Sequence, residues 1–143
     1  MTKKGGRIVM GNWIPNDPTL VTQILKISSA YSPPPPECFV SPMKWGVEAD
    51  IVERFQAARV KRENIACVRD TYVFACDGPP SGLLDRFQNF YGPTMNAFEA
   101  AEKTGRAAEL RRELEVLFNA QNVSGDPQRT YIPATFLRVN VTV

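Results

Sequence analysis

Hydrophobic and polar positions change period several times along the chain, and each change marks an expected element. Arg7-Ile8-Val9-Met10 is a short apolar run between Gly5-Gly6 and Gly11-Asn12-Trp13, the pattern of a buried strand bounded by glycine. Leu20, Val21, Ile24, Leu25, Ser28 and Tyr31 then recur at helical spacing, with Asp17 as a cap and Pro18 in the first turn. Pro33 to Pro36 ends that helix. Val47, Ile51, Val52 and Phe55 form the stripe of a second helix. Ile65 to Cys76, rich in β-branched and aromatic residues, reads as a strand. Arg69 and Asp70 interrupt its alternation, which either a bulge or a partly exposed edge would accommodate.

Three helical segments come next. Pro79 and Pro80 suit a first turn, and Leu83, Leu84, Phe87, Phe90 and Tyr91 are the expected buried stripe. Gly92-Pro93 breaks this helix, and Met95, Phe98 and Ala101 continue a second piece. From Arg106 to Ala120, Leu110, Leu114, Leu117 and Phe118 share one face, while Glu109, Arg111, Arg112, Glu113 and Glu115 form a solvated one held by local ion pairs. After the turn at Ser124-Gly125-Asp126-Pro127, Leu137, Val139, Val141 and Val143 alternate with Arg138, Asn140 and Thr142, a strand covered on one face in which the chain ends. The order β-α-α-β-α-α-α-β, without internal repeat or linker, predicts a single α/β domain over residues 1–143.

Composition narrows the chemistry. A chain of 143 residues, 43% of them hydrophobic, buries a modest core and is not wholly disordered. Its 17 Lys and Arg and 15 acidic residues are interspersed, which gives no electrostatic footprint for nucleic acid. Lys3, Lys4 and Arg7 make a small basic start read as solvated. No run approaches the roughly 20 apolar residues of a membrane span, and no secretory signal is apparent, so the expected location is cytoplasmic, with no membrane partner. Cys38, Cys67 and Cys76 lack CxxC spacing and are expected to be free thiols rather than metal ligands. Histidine is absent, which removes Ser-His and Cys-His nucleophiles and imidazole metal sites.

Several segments carry a resemblance. Gly5 to Trp13 resembles the stretch of class I S-adenosylmethionine-dependent methyltransferases that comes after their PGG turn and forms the fifth strand. Pro33 to Pro36, Ser41-Pro42 and Trp45-Gly46 look like the variable region after that strand in small-molecule methyltransferases of this type. Phe90-Tyr91-Gly92-Pro93-Thr94 resembles a YYGPT insertion, and Tyr131 to Leu137 the closing strand. In order, these pieces cover nearly the whole chain. The Gly-rich loop, the acidic ribose-binding residue and the adenine-flanking strand of the family have no counterpart, and Lys4 stands where relatives carry proline. The resemblance therefore implies the C-terminal, acceptor-side part of a Rossmann-like enzyme.

The fold it implies is a small three-stranded mixed sheet with about five helices, an α+β-like fragment, in which Arg7–Trp13 lies beside Leu137–Val143 and that strand beside Ile65–Cys76. The first strand would then present an unpaired edge through which a second copy could associate.

Methyl transfer from a sulfonium is an in-line displacement governed by proximity and orientation, and it needs a base only for a protonated acceptor. Asn12 and Trp13, at the carboxyl end of the first strand, are candidates for one wall of an acceptor site, or for a strand cap and a core tryptophan. Trp45, Phe90 and Tyr91 are candidates for an apolar pocket taking an aromatic or lipid-like acceptor, or for helix core. Tyr31 and Asp17 are the nearby groups able to handle a proton. Pro33–Pro36 reads as a rigid loop more than a polyproline ligand.

The resemblance implies no cofactor on this chain alone, and S-adenosylmethionine if a partner half completes it. No catalytic, cofactor-binding or metal residue is assigned. Expected partners are a second copy, a separate cofactor-binding half or a small apolar molecule. The alternative function is a non-enzymatic remnant that self-associates or binds a small ligand.

Overall fold

The computed structural model describes residues 2, 3 and 5–143; Met1 and Lys4, the latter within the basic start, lie outside the described residues. The elements in order are β1 (Arg7–Trp13), α1 (Leu20–Ser29), a 3-10 turn (Pro42–Gly46), α2 (Glu48–Ala57), a second short 3-10 turn (Arg62–Asn64), β2 (Ile65–Asp77), α3 (Pro80–Phe90), α4 (Gly92–Lys103), α5 (Ala107–Gln121) and β3 (Arg129–Thr142). The chain is α+β, with a three-stranded sheet of order β1-β3-β2.

The expected mixed sheet is corrected to an antiparallel one. β1 pairs with β3 from Arg7↔Thr142 to Trp13↔Phe136, one index rising as the other falls. Asp70 meets Arg138, and Asp77 meets Arg129, with the same opposition between β2 and β3. The closing strand lies between the other two and runs against both, so each hydrogen-bonded neighbour pair is antiparallel.

Two compact units are built from this chain: Met1–Asp17, Phe39–Tyr72 and Thr135–Val143 form the first, Pro18–Cys38 and Val73–Ala134 the second. The core of the first is Ile14, Ile51, Ile65, Leu137, Val139 and Val141, with Ile8, Met10, Trp45, Val52, Phe55 and Val60 packed at its margin. Ile51 is the fully buried residue of α2, whose remaining face is largely exposed. The second unit packs α1 and α3 each against α4 and α5. Leu20, Ile24, Leu84, Ala97, Ala101, Leu110, Leu114 and Phe118 are fully buried there, the i, i+3, i+4 stripes closing on one another.

Two local readings change. Asp17 is not the N-cap of α1; that position is Thr19. Ile14 to Asp17 instead forms a turn in which the Asp17 N–H donates to the Ile14 carbonyl, with Pro15 and Asn16 in the middle and Asn16 at φ 60°. Proline then a residue tolerant of the left-handed region is what such a turn demands. Asp17 is buried and ion-paired with Arg69 at 3.5 Å. Phe90, placed in the α3 stripe by sequence, is 82% exposed. It is the last residue of α3, past the turn that Leu83, Leu84 and Phe87 bury.

β3 changes the parity of its buried positions along its length. Thr130, Ile132 and Ala134 are buried, and then Leu137, Val139 and Val141. Even-numbered residues face the core of the second unit and odd-numbered ones that of the first, the change falling at Thr135–Phe136.

Candidate functional site

The pocket residues expected from sequence divide between the units. In the first, Asn12 and Trp13 sit at the carboxyl end of β1, both partly buried. The Trp13 ring meets Phe136 edge-on, centroids 6.3 Å apart. Trp45 meets Phe55 in the same way at 6.4 Å, and Arg54 lies 4.8 Å over its ring. Gly46 brings the Trp45 turn against β1, because its backbone lies directly on the Trp13 carbonyl. The three candidates share one end of β1, but Asn12 and Trp13 as successive strand residues point to opposite faces, and the two indoles meet Phe136 and Phe55 respectively. The Asn12 Nδ2 is a buried donor with no acceptor among the described residues. Buried amides are normally satisfied, so this atom is a place where a bound oxygen would find a partner.

In the second unit, Tyr91 belongs to an aromatic cluster: Phe87 meets Phe74 at 5.4 Å, Tyr91 at 5.3 Å and Phe118 at 5.6 Å. Burial holds the Tyr91 phenol above its ordinary pKa. Phe90 points away from this cluster into solvent.

Tyr31 lines a groove. The groove, about 410 Å³, lies between the end of α1 and the end of α4 and is walled by Ala30, Tyr31, Pro33, Ala100, Thr104 and Arg106. Tyr31 is buried, and its hydroxyl donates to Glu113 Oε1 at 2.7 Å. Arg106 stacks over its ring at 4.3 Å and forks onto Glu109 at 2.9 and 3.0 Å. Lys103 pairs with Glu99 at 2.7 Å. Both cations of the groove therefore already have a carboxylate, and the phenol proton has an acceptor. Such a surface offers apolar contact rather than a free charge or a proton-transfer group.

Desolvation, then the hydrogen bond and charge of Glu113, push the Tyr31 pKa from 10.0 up to about 12. The fold thus keeps the neutral phenol. Below pH 10 its contribution to stability is complete, and it is lost as pH rises from 10 to 12, where the unfolded chain releases the proton and the native one holds it. We expect one tyrosine to ionise last in an alkaline absorbance titration. Tyr31→Phe should remove that late step and flatten the fall in stability across the same window. A single tyrosinate transition near pH 10 in the native protein would refute the assignment.

Sequence reasoning missed the Glu113, Arg106 and Glu109 side chains around Tyr31. Glu113 is 82 residues away along the chain, and only its place on the solvated side of the α5 pattern was visible. Among the described residues no group of three or more Cys, Asp and Glu could hold a metal ion, and no helix is long and apolar enough to cross a membrane. Comparison with protein-family models, curated proteins and solved structures found no match to this chain.

Proposed function

We propose that this chain is the acceptor-side part of an S-adenosylmethionine-dependent methyltransferase of the small-molecule type. The observation that carries the reading is the strand order β1-β3-β2, the order in which the resemblance sets the fifth, seventh and sixth strands. The neighbourhood of Asn12, Trp13 and Trp45 at the carboxyl end of β1 adds support, since open α/β sheets bind ligands outside the carboxyl ends of their strands. In this reading the Asn12 amide, unsatisfied among the described residues, donates to an oxygen of the acceptor.

S-adenosylmethionine would supply the methyl group. The described residues do not fit a site for it: β1 runs into Ile14-Pro15-Asn16 and β2 into Gly78-Pro79-Pro80, neither a glycine-rich cradle. The role left to this chain is to hold the acceptor and exclude water.

Calorimetry tests the reading. Titrating the 143-residue chain with S-adenosylmethionine, and separately with S-adenosylhomocysteine, is expected to give no heat at high micromolar concentration. Adding the isolated cofactor-binding half of a small-molecule methyltransferase should then produce binding beyond that of the added half alone. Binding near one equivalent by this chain alone, or no gain on mixing, would overturn the proposal.

A second reading, a non-enzymatic binder of a small apolar molecule, is favoured by the Tyr31 groove, where Lys103 and Arg106 are both paired internally.

A further inference from the structure

The outer edge of β1 is the least protected surface of the sheet. β1 and β2 are both edge strands in the order β1-β3-β2. Edge strands expose a row of unpaired N–H and C=O groups, which proteins guard with charge, proline or a covering segment. β2 is guarded in the first unit by Arg69 and Asp70, each in an ion pair. β1 has one charged residue, Arg7, at its start; Ile8 to Gly11 carry none, and Val9 is 55% exposed.

Hydrogen bonding fixes which groups are free. The Val143 N–H donates to the Gly6 carbonyl, and Arg7↔Thr142 is the next pair in the ladder. Because bonded and non-bonded pairs alternate in an antiparallel ladder, Ile8, Met10 and Asn12 bond to β3, whereas Arg7, Val9, Gly11 and Trp13 direct their backbone groups outward. The Trp13 end is closed by the Gly46 backbone lying on its carbonyl. What stays open is the segment Arg7, Val9 and Gly11, for which no backbone hydrogen bond outside the sheet is present among the described residues.

That segment is complementary to itself. In an antiparallel pairing centred on Val9, Arg7 of each copy falls opposite Gly11 of the other, and Val9 meets Val9 at the two-fold axis. All three outward residues then pair with outward residues. Side chains add to the match. The face of Gly11 is bare, and the Phe136 ring stands over it so closely that a Cβ there would lie 3.2 Å from the ring. An arginine crossing that glycine meets an aromatic ring, an attractive arrangement, beside Arg138, the β3 partner of Gly11, whose charge is already paired with Asp70 at 3.1 Å. The two Arg7 charges sit at opposite ends of the shared ladder and do not oppose one another.

We propose that β1 pairs with β1 of a second copy in this register, giving a symmetric dimer whose sheet continues through the interface. The inference concerns residues of the first unit alone and does not rest on the methyltransferase reading. With only three residues of each strand engaged, the dimer dissociates on dilution.

Sedimentation velocity across micromolar concentrations tests it, using the wild-type chain and two variants. Val9→Pro removes the outward N–H at the two-fold without touching a β1–β3 bond, a substitution that edge strands accept. Val9→Lys leaves the backbone intact and sets two like charges together. The wild type is expected to pass from the 16.0 kDa chain to twice that mass as concentration rises. Either folded variant should dissociate at least about tenfold more readily, and the lysine effect should weaken in salt. If the proline variant fails to fold, the lysine variant decides. A wild type that stays monomeric throughout, or a dimer indifferent to the lysine, would overturn the proposal, the first result leaving this edge to a different chain.

Discussion

Gly46→Ala is expected to destabilise the first unit by about 3 kcal/mol, a large effect for a single methyl group. A Cβ at this position would lie 2.8 Å from the Trp13 carbonyl carbon and closer still to its oxygen, and 3.0 Å from the Ile14 Cα. All three are backbone atoms, so no rotamer change relieves the overlap. Either the Pro42–Gly46 turn lifts away from β1 or the end of β1 bends. Both of the chain's tryptophans, Trp13 and Trp45, belong to this unit, so indole emission reports its unfolding alone. A urea titration monitored by fluorescence should show the midpoint falling with the slope unchanged. A variant as stable as the wild type would mean that the turn does not rest on the strand. The same substitution should disturb the Asn12–Trp13–Trp45 neighbourhood on which the acceptor reading depends.

Phe118→Ala should cost the second unit about 3 to 5 kcal/mol. Phe118 is fully buried on α5, and its ring meets Phe87 edge-on within the cluster that includes Phe74 and Tyr91. Truncation removes the transfer free energy of the ring and leaves a cavity bounded by aromatic faces that cannot collapse together. α1, α3, α4 and α5 all lie in this unit, so the helical circular dichroism signal tracks its melting. A loss below about 1 kcal/mol would show that the cluster repacks freely.

The parts of the fold that were legible in sequence are those in which one local rule acts without competition. β1 begins where its apolar run follows Gly5-Gly6, but it continues through Gly11 to Trp13, the span that the resemblance implied. The α5 stripe of Leu110, Leu114 and Phe118 is buried as its spacing predicts. Helix count and strand order also agree with expectation, whereas strand sense did not, because an order of neighbours does not by itself state their directions.

Failures arose where a distant residue decides. Asp17 reads locally as a cap, but α1 is capped at Thr19 and Asp17 is buried, ion-paired with Arg69 of β2. Phe90 has the right residue type for a core, but as the last residue of α3 it stands past the turn that Leu83, Leu84 and Phe87 bury. For the candidate site, composition directed attention to aromatic residues, and sequence could not show which of them meet. The turn that carries Trp45 is set against the Trp13 backbone by Gly46, a glycine with no side chain to signal its role. The setting of Tyr31 depends on partners from a helix far along the chain.

The parity change within β3 also bears on how this chain can vary in length. A strand that buried one set of alternate positions throughout could be trimmed at either end without changing which of its remaining side chains are buried. Here Ile132 and Ala134 serve one core and Leu137, Val139 and Val141 another. A one-residue slip within either run would turn that core's side chains outward, whereas a slip of two would restore them. Insertions and deletions inside either run are therefore restricted to even steps, a constraint that would be written into any set of descendants as a gap pattern rather than as a retained residue.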